Sequence, residues 1–87
     1  MSDHIPKLAP GVRLRTDPKK GAMLLGPERI LELDETAQAI VREFDGTKRV
    51  SEVAAALAKE YNERESLILA DIKALVADLA AKGYVKL

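Results

Sequence analysis

The sequence predicts an α+β fold: a three-stranded antiparallel N-terminal sheet followed by a three-helix bundle. Three observations carry this. Apolar and polar residues alternate in short runs between Val12 and Leu33, the period of half-buried strands. After Leu33 the apolar spacing becomes that of helix faces. The apolar residues are chiefly Ala, Leu, Val and Ile, with Phe44, Tyr61 and Tyr84 the only aromatics, a composition suited to close helix packing. At 87 residues the chain reads as one domain, 1–87, with residues 1–11 expected as a flexible N-terminal segment and His4 in its frayed end. A domain of this size buries only roughly 60 to 65% of the surface its unfolded chain exposes.

Along the first strand, Val12, Leu14 and Thr16 fall on one side and Arg13 and Arg15 on the other. Asp17-Pro18-Lys19-Lys20-Gly21 is a turn, with φ fixed at Pro18 and permissive at Gly21, and Ala22 to Leu25 is the return strand. Gly26-Pro27 ends it. Arg29 to Leu33 is the third strand, with Leu31 and Leu33 on one face and Ile30 and Glu32 on the other. Asp34 caps the first helix, whose apolar face is Ala37, Ile40, Val41 and Phe44, and Asp45-Gly46 stop it. Ser51 is expected to cap a second helix that buries Val53, Leu57 and Tyr61. The third helix runs from about Glu65 to Lys82 with Ile68, Leu69, Ile72, Leu75, Val76 and Leu79 on one stripe, and Gly83 is its left-handed cap. The alternation of Tyr84 to Leu87 suits a strand or a docked tail.

The residues argue against chemistry. With no cysteine and one histidine there is no thiol nucleophile, and no set of three or four ligands at metal-binding spacing. Ser51 and Ser66 fall at helix starts, where capping accounts for them; Glu63, Glu65, Asp34 and Glu35 suit the positive ends of helix dipoles. The expectation is therefore a non-enzyme that needs no cofactor of its own. No export signal or membrane-spanning run is read, so a cytoplasmic protein without a membrane partner is expected. The last two helices and the hairpin together suggest a winged helix-turn-helix, and a small DNA-binding protein is the alternative reading. Charge speaks against nucleic acid. Fourteen basic residues balance fourteen acidic ones, and Arg64, Lys73 and Lys82 around the third helix are matched by Glu65, Asp71 and Asp78.

The stretch Leu25-Gly26-Pro27-Glu28-Arg29-Ile30-Leu31-Glu32-Leu33-Asp34-Glu35-Thr36-Ala37, then Phe44-Asp45-Gly46 and Val50, resembles the PqqD family of pyrroloquinoline quinone biosynthesis. Pro6 to Leu14 and the spacing of the last two helices resemble it as well. Phe44 departs from the family pattern, where a smaller residue is more usual, and this touches packing more than function. The resemblance implies a winged-helix-like RiPP recognition element, a peptide chaperone. It would bind the precursor peptide PqqA and present it to PqqE, a radical S-adenosylmethionine enzyme that cross-links a Glu and a Tyr of the peptide. The cofactors would belong to that partner.

The resemblance also implies that the peptide adds as a strand to the sheet edge beside the third helix. In this chain that edge is Arg29, Ile30, Leu31, Glu32 and Leu33, whose outward N–H and C=O groups would form the ladder. The facing wall is expected to be Leu67, Ala70, Ala74 and Ala77, with Ala81 beyond, and with Asp71, Lys73 and Asp78 placed to meet charges. Alanine on an exposed helix face is more simply explained by its helix propensity. Monomer and dimer both remain open, since short edge strands also pair between copies. A module that only scaffolds an enzyme is the third reading.

Overall fold

Alternation and turn chemistry shape the N-terminal half as expected. The computed structural model describes residues 4–19 and 21–87; Met1 to Asp3 and Lys20 of the first turn lie outside the described residues. In chain order the elements are β1 Lys7–Leu8, β2 Arg13–Asp17, β3 Gly21–Gly26, β4 Arg29–Leu33, α1 Glu35–Val41, α2 Val50–Tyr61, α3 Glu65–Ala81 and β5 Val85–Lys86. Strands β2, β3 and β4 form an antiparallel sheet in that order, with Leu14 opposite Leu24 and Leu24 opposite Leu31. Ala22 and Leu24 are buried, so the sheet turns one face to the core and leaves Ile30 and Glu32 on the other. Pro27 and Glu28 make the two-residue turn between β3 and β4, with Glu28 at φ 60°.

The helices cover that face. Val50, Val53, Ala54 and Leu57 of α2 meet Ile72, Val76 and Leu79 of α3 in one core with Ile40, Val41 and Phe44. Asp34 caps α1, its side-chain oxygen accepting from Ala37 N–H at 2.7 Å. At the end of α3 the Tyr84 N–H donates to the Leu79 carbonyl (2.9 Å) and the Gly83 N–H to Ala80 (3.1 Å). These are the paired bonds of a Schellman cap, with Gly83 at φ 82°.

Several expectations need correction. The segment from His4 to Gly11 is docked rather than flexible. Lys7–Leu8 pairs with Val85–Lys86 as a second, two-stranded sheet, Pro6 is buried, and the His4 carbonyl accepts from Val50 N–H at 2.9 Å. Its pairing partner is the far end of the chain, which no local pattern announces. Ser51 and Ser66 are second residues of their helices, and Arg49 and Arg64 hold the cap positions. Glu52 satisfies the start of α2 by accepting from Arg49 N–H at 2.8 Å, so a serine cap is not required there. Helix α1 closes at Val41, with Glu43 and Phe44 N–H groups donating three residues back; Phe44 is buried from the tightened turn that follows. Tyr61, expected in the core, is 52% exposed because it ends α2, where the backbone turns left-handed at Asn62 (φ 54°).

Candidate functional site

The register of the β3–β4 hairpin fixes which backbone groups of β4 are available. Gly26 and Arg29 close the two-residue turn, and such a closing pair faces inward to the ladder. Alternation then turns Leu31 and Leu33 toward β3 and leaves the N–H and C=O of Ile30 and Glu32 pointing away from it. Among the described residues nothing pairs with that edge. The same alternation leaves Leu14 and Thr16 outward on β2, the opposite edge.

What distinguishes the β4 edge is its neighbour. Helix α3 runs antiparallel beside it. At one end the Arg29 guanidinium donates to the Lys82 carbonyl at 2.6 Å and lies 4.5 Å from the centre of the Tyr84 ring. At the other end Asp34, just after β4, lines a cleft of about 450 Å³ together with Thr36, Ala37, Ile40, Asp71, Ala74, Leu75 and Asp78. Between these ends α3 packs chiefly on α2 and far less on β4. A second cleft of about 510 Å³ continues between α1, α2 and the start of α3, sharing Thr36, Ile40 and Asp71 with the first. Leu67, Ile68, Leu57 and Tyr61 line it.

The expected site residues are therefore distributed unevenly. Ile30 and Glu32 hold the outward backbone groups, and Ile30 is 67% exposed. Leu31 and Leu33 are half-buried with their side chains against the core. The Arg29 side chain is committed to the end of α3. Leu67, Asp71 and Ala74 line the clefts; Ala70 and Ala77 are exposed but line neither. At about 100° per residue, Asp71, Ala74 and Asp78 lie within about 40° of Leu67, whereas Ala70 and Ala77 sit about 60 to 80° away. Helical angle, rather than residue type, was the signal that separates them. Thr36 and Ile40, absent from the expected site, sit on α1 and approach α3 only through the tertiary fold.

The groove is acidic. Asp34, Glu35, Glu63, Asp71 and Asp78 line the two clefts, and no lysine or arginine does. Asp78 meets Lys82 at 3.1 Å, and one Asp34 oxygen is taken by its cap. Away from the groove, Thr47 donates its hydroxyl and its backbone N–H to Asp45 Oδ1 (2.6 and 2.9 Å). These bonds hold the Asp45 carboxyl below its ordinary 3.8. Glu43, 2.8 Å from Lys48, raises that ammonium above its ordinary 10.5. Among the described residues no cluster of His, Cys, Asp or Glu is arranged to hold a metal ion, and no helix is long and apolar enough to cross a membrane.

Known proteins share this architecture. A truncation of Methylobacterium extorquens PqqCD to its PqqD part, described as a functional, stand-alone RiPP recognition element, superposes with a TM-score of 0.84 at 38% identity, covering 94% of this chain and 88% of that one. Lasso peptide synthetase B1, solved in complex with the leader peptide, matches with a TM-score of 0.77 at 26% identity, over 97% of this chain and all of the other. A protein of Xanthomonas oryzae pv. oryzae named PqqA binding protein is 38% identical over 86 residues, 98% of this chain and 94% of its own length. The family model for coenzyme PQQ synthesis protein D covers residues 21–85, and with sheet, helices and sequence in agreement the chain belongs to the PqqD family.

Proposed function

We propose that this protein is a peptide chaperone of pyrroloquinoline quinone synthesis, which binds the precursor PqqA as an added strand on β4 and presents it to the radical S-adenosylmethionine enzyme PqqE. The observation that carries the reading is the β4 edge, unpaired among the described residues, beside a helix that packs chiefly on α2. An extended peptide on that edge gains main-chain bonds from Ile30 and Glu32, and its alternate side chains face α3. The name of the Xanthomonas relative, PqqA binding protein, and the leader-bound state of the lasso synthetase support the same reading. The groove face of α3 carries Asp71 and Asp78, which would repel a phosphate backbone, so the helix suits a peptide better than DNA.

Ordering a flexible precursor costs about 2 to 5 kcal/mol of the gross interaction, which keeps binding moderate and release to an enzyme feasible. The test is amide hydrogen exchange with and without PqqA. Protection at Ile30 and Glu32, with Leu14 and Thr16 unchanged, is the expected result. Protection on β2 instead, or on neither edge at saturating peptide, refutes the reading. Presentation is tested separately: the chaperone should increase PqqE turnover of PqqA, and equal turnover with and without it refutes that part.

A further inference from the structure

We propose that the cleft between α1, α2 and the first half of α3 is a side-chain pocket that seats a bulky apolar residue of the bound peptide, with a lysine or arginine of the peptide beside it. This rests on the strand-addition reading and deepens it, by stating what chemistry beyond main-chain pairing selects the peptide. The floor of the cleft is apolar, made by Ala39, Ile40, Leu57 and Ile68. Tyr61 and Leu67, 52% and 57% exposed, are two large apolar side chains lining the same cleft. Water is a poor occupant of such a surface, and an apolar side chain entering it would cover both. The rim is charged with one sign: Glu35, Glu63 and Asp71 line the cleft, and no cation does. The complementary neighbour of the apolar residue is therefore cationic.

The cleft is continuous with the groove through Thr36, Ile40 and Asp71, and the groove starts at Asp34, the residue after β4. A peptide paired along β4 reaches it beyond the Leu33 end. If the added strand runs antiparallel to β4, the apolar residue lies N-terminal to the paired segment; if parallel, it lies C-terminal.

The experiment is a titration of methyl- and amide-labelled protein with PqqA, followed at the methyl groups of Ile40, Leu57, Leu67 and Ile68 and at the amides of Ile30 and Glu32. The expected result is that both sets shift together. PqqA analogues with single Lys or Arg to Gln replacements should include one that binds wild-type protein several-fold more weakly yet matches unmodified PqqA on the Asp71→Asn, Glu35→Gln protein. If the β4 amides respond while the four residues' methyls stay fixed, the pocket is overturned and strand addition stands. If neither set responds, both fall. Responding methyls, with every cationic replacement in PqqA neutral on wild-type protein, overturn the charge selection.

Discussion

A proline at Glu32 should abolish much of the peptide affinity while leaving the fold intact. The Glu32 N–H points away from β3, so proline removes a donor that the sheet does not use. In the proposed complex that donor would face a peptide carbonyl. Its loss strands a partly buried acceptor, a cost of about 1 to 3 kcal/mol, which is about 5- to 150-fold in Kd. Ile30→Pro tests the other outward position and should act alike. Leu31→Pro is the control: its N–H pairs with β3 opposite Leu24, so proline there should lower Tm sharply whether or not peptide is present. Isothermal calorimetry with PqqA, on variants whose Tm stays close to wild type, gives the answer. If Ile30→Pro and Glu32→Pro both remain folded and bind PqqA with wild-type affinity, β4 is not where the peptide pairs.

Replacing Arg29 by Ala removes the 2.6 Å bond to the Lys82 carbonyl and the stacking on Tyr84. About 1 to 2 kcal/mol of stability should be lost, seen as a Tm lower by about 5 to 15 °C. Peptide binding should weaken as well, because α3 loses its tie to β4. Gly83→Ala should destabilise by about 1 to 2 kcal/mol in urea unfolding, since the residue sits at φ 82° and the new Cβ would stand 3.4 Å from an Arg29 nitrogen. The lowered Asp45 carboxyl favours the folded state above 3.8, and that contribution is lost as pH falls through its folded value. Asp45→Asn should therefore narrow the Tm gap to wild type as pH drops below 3.8, and a gap that stays constant down to pH 2 would contradict this.

Local rules found the elements that local forces make. Alternation placed β2, β3 and β4, and Asp34 and Gly83 marked the limits of α1 and α3 because caps act within a turn. The second sheet was not legible as a pairing. Lys7–Leu8 and Val85–Lys86 are two residues each and lie at opposite ends of the sequence, so only the finished core brings them together. Tyr61 was misplaced because it sits at the last turn of α2, where the apolar period continues but the chain departs from the core. At the candidate site, alternation gives the outward positions of β4 and helical angle the cleft-lining positions of α3, whereas the approach of α1 is a tertiary feature. Ala70 and Ala77 share a residue type with Ala74, but the groove selects by angle, and it joins α3 to Thr36 and Ile40 of α1.

The groove lies beside β4 because α3 is held chiefly by α2 and at its C-terminal end. Helix α2 supports it through Val53, Leu57, Ile72 and Val76. Strand β5 follows directly from its Schellman cap and is fixed by β1, so the docked N-terminal segment anchors the same end that Arg29 grips. Together these contacts fix where α3 lies relative to β4. A sheet edge alone would accept any extended chain, including a second copy of itself. On the proposed strand addition, an edge with a helix opposite would limit the occupant to a single strand whose helix-facing side chains fit Ala74 and the acidic positions Asp71 and Asp78. In that proposal, selectivity depends on the position in which α3 is held as much as on the residues that line the groove.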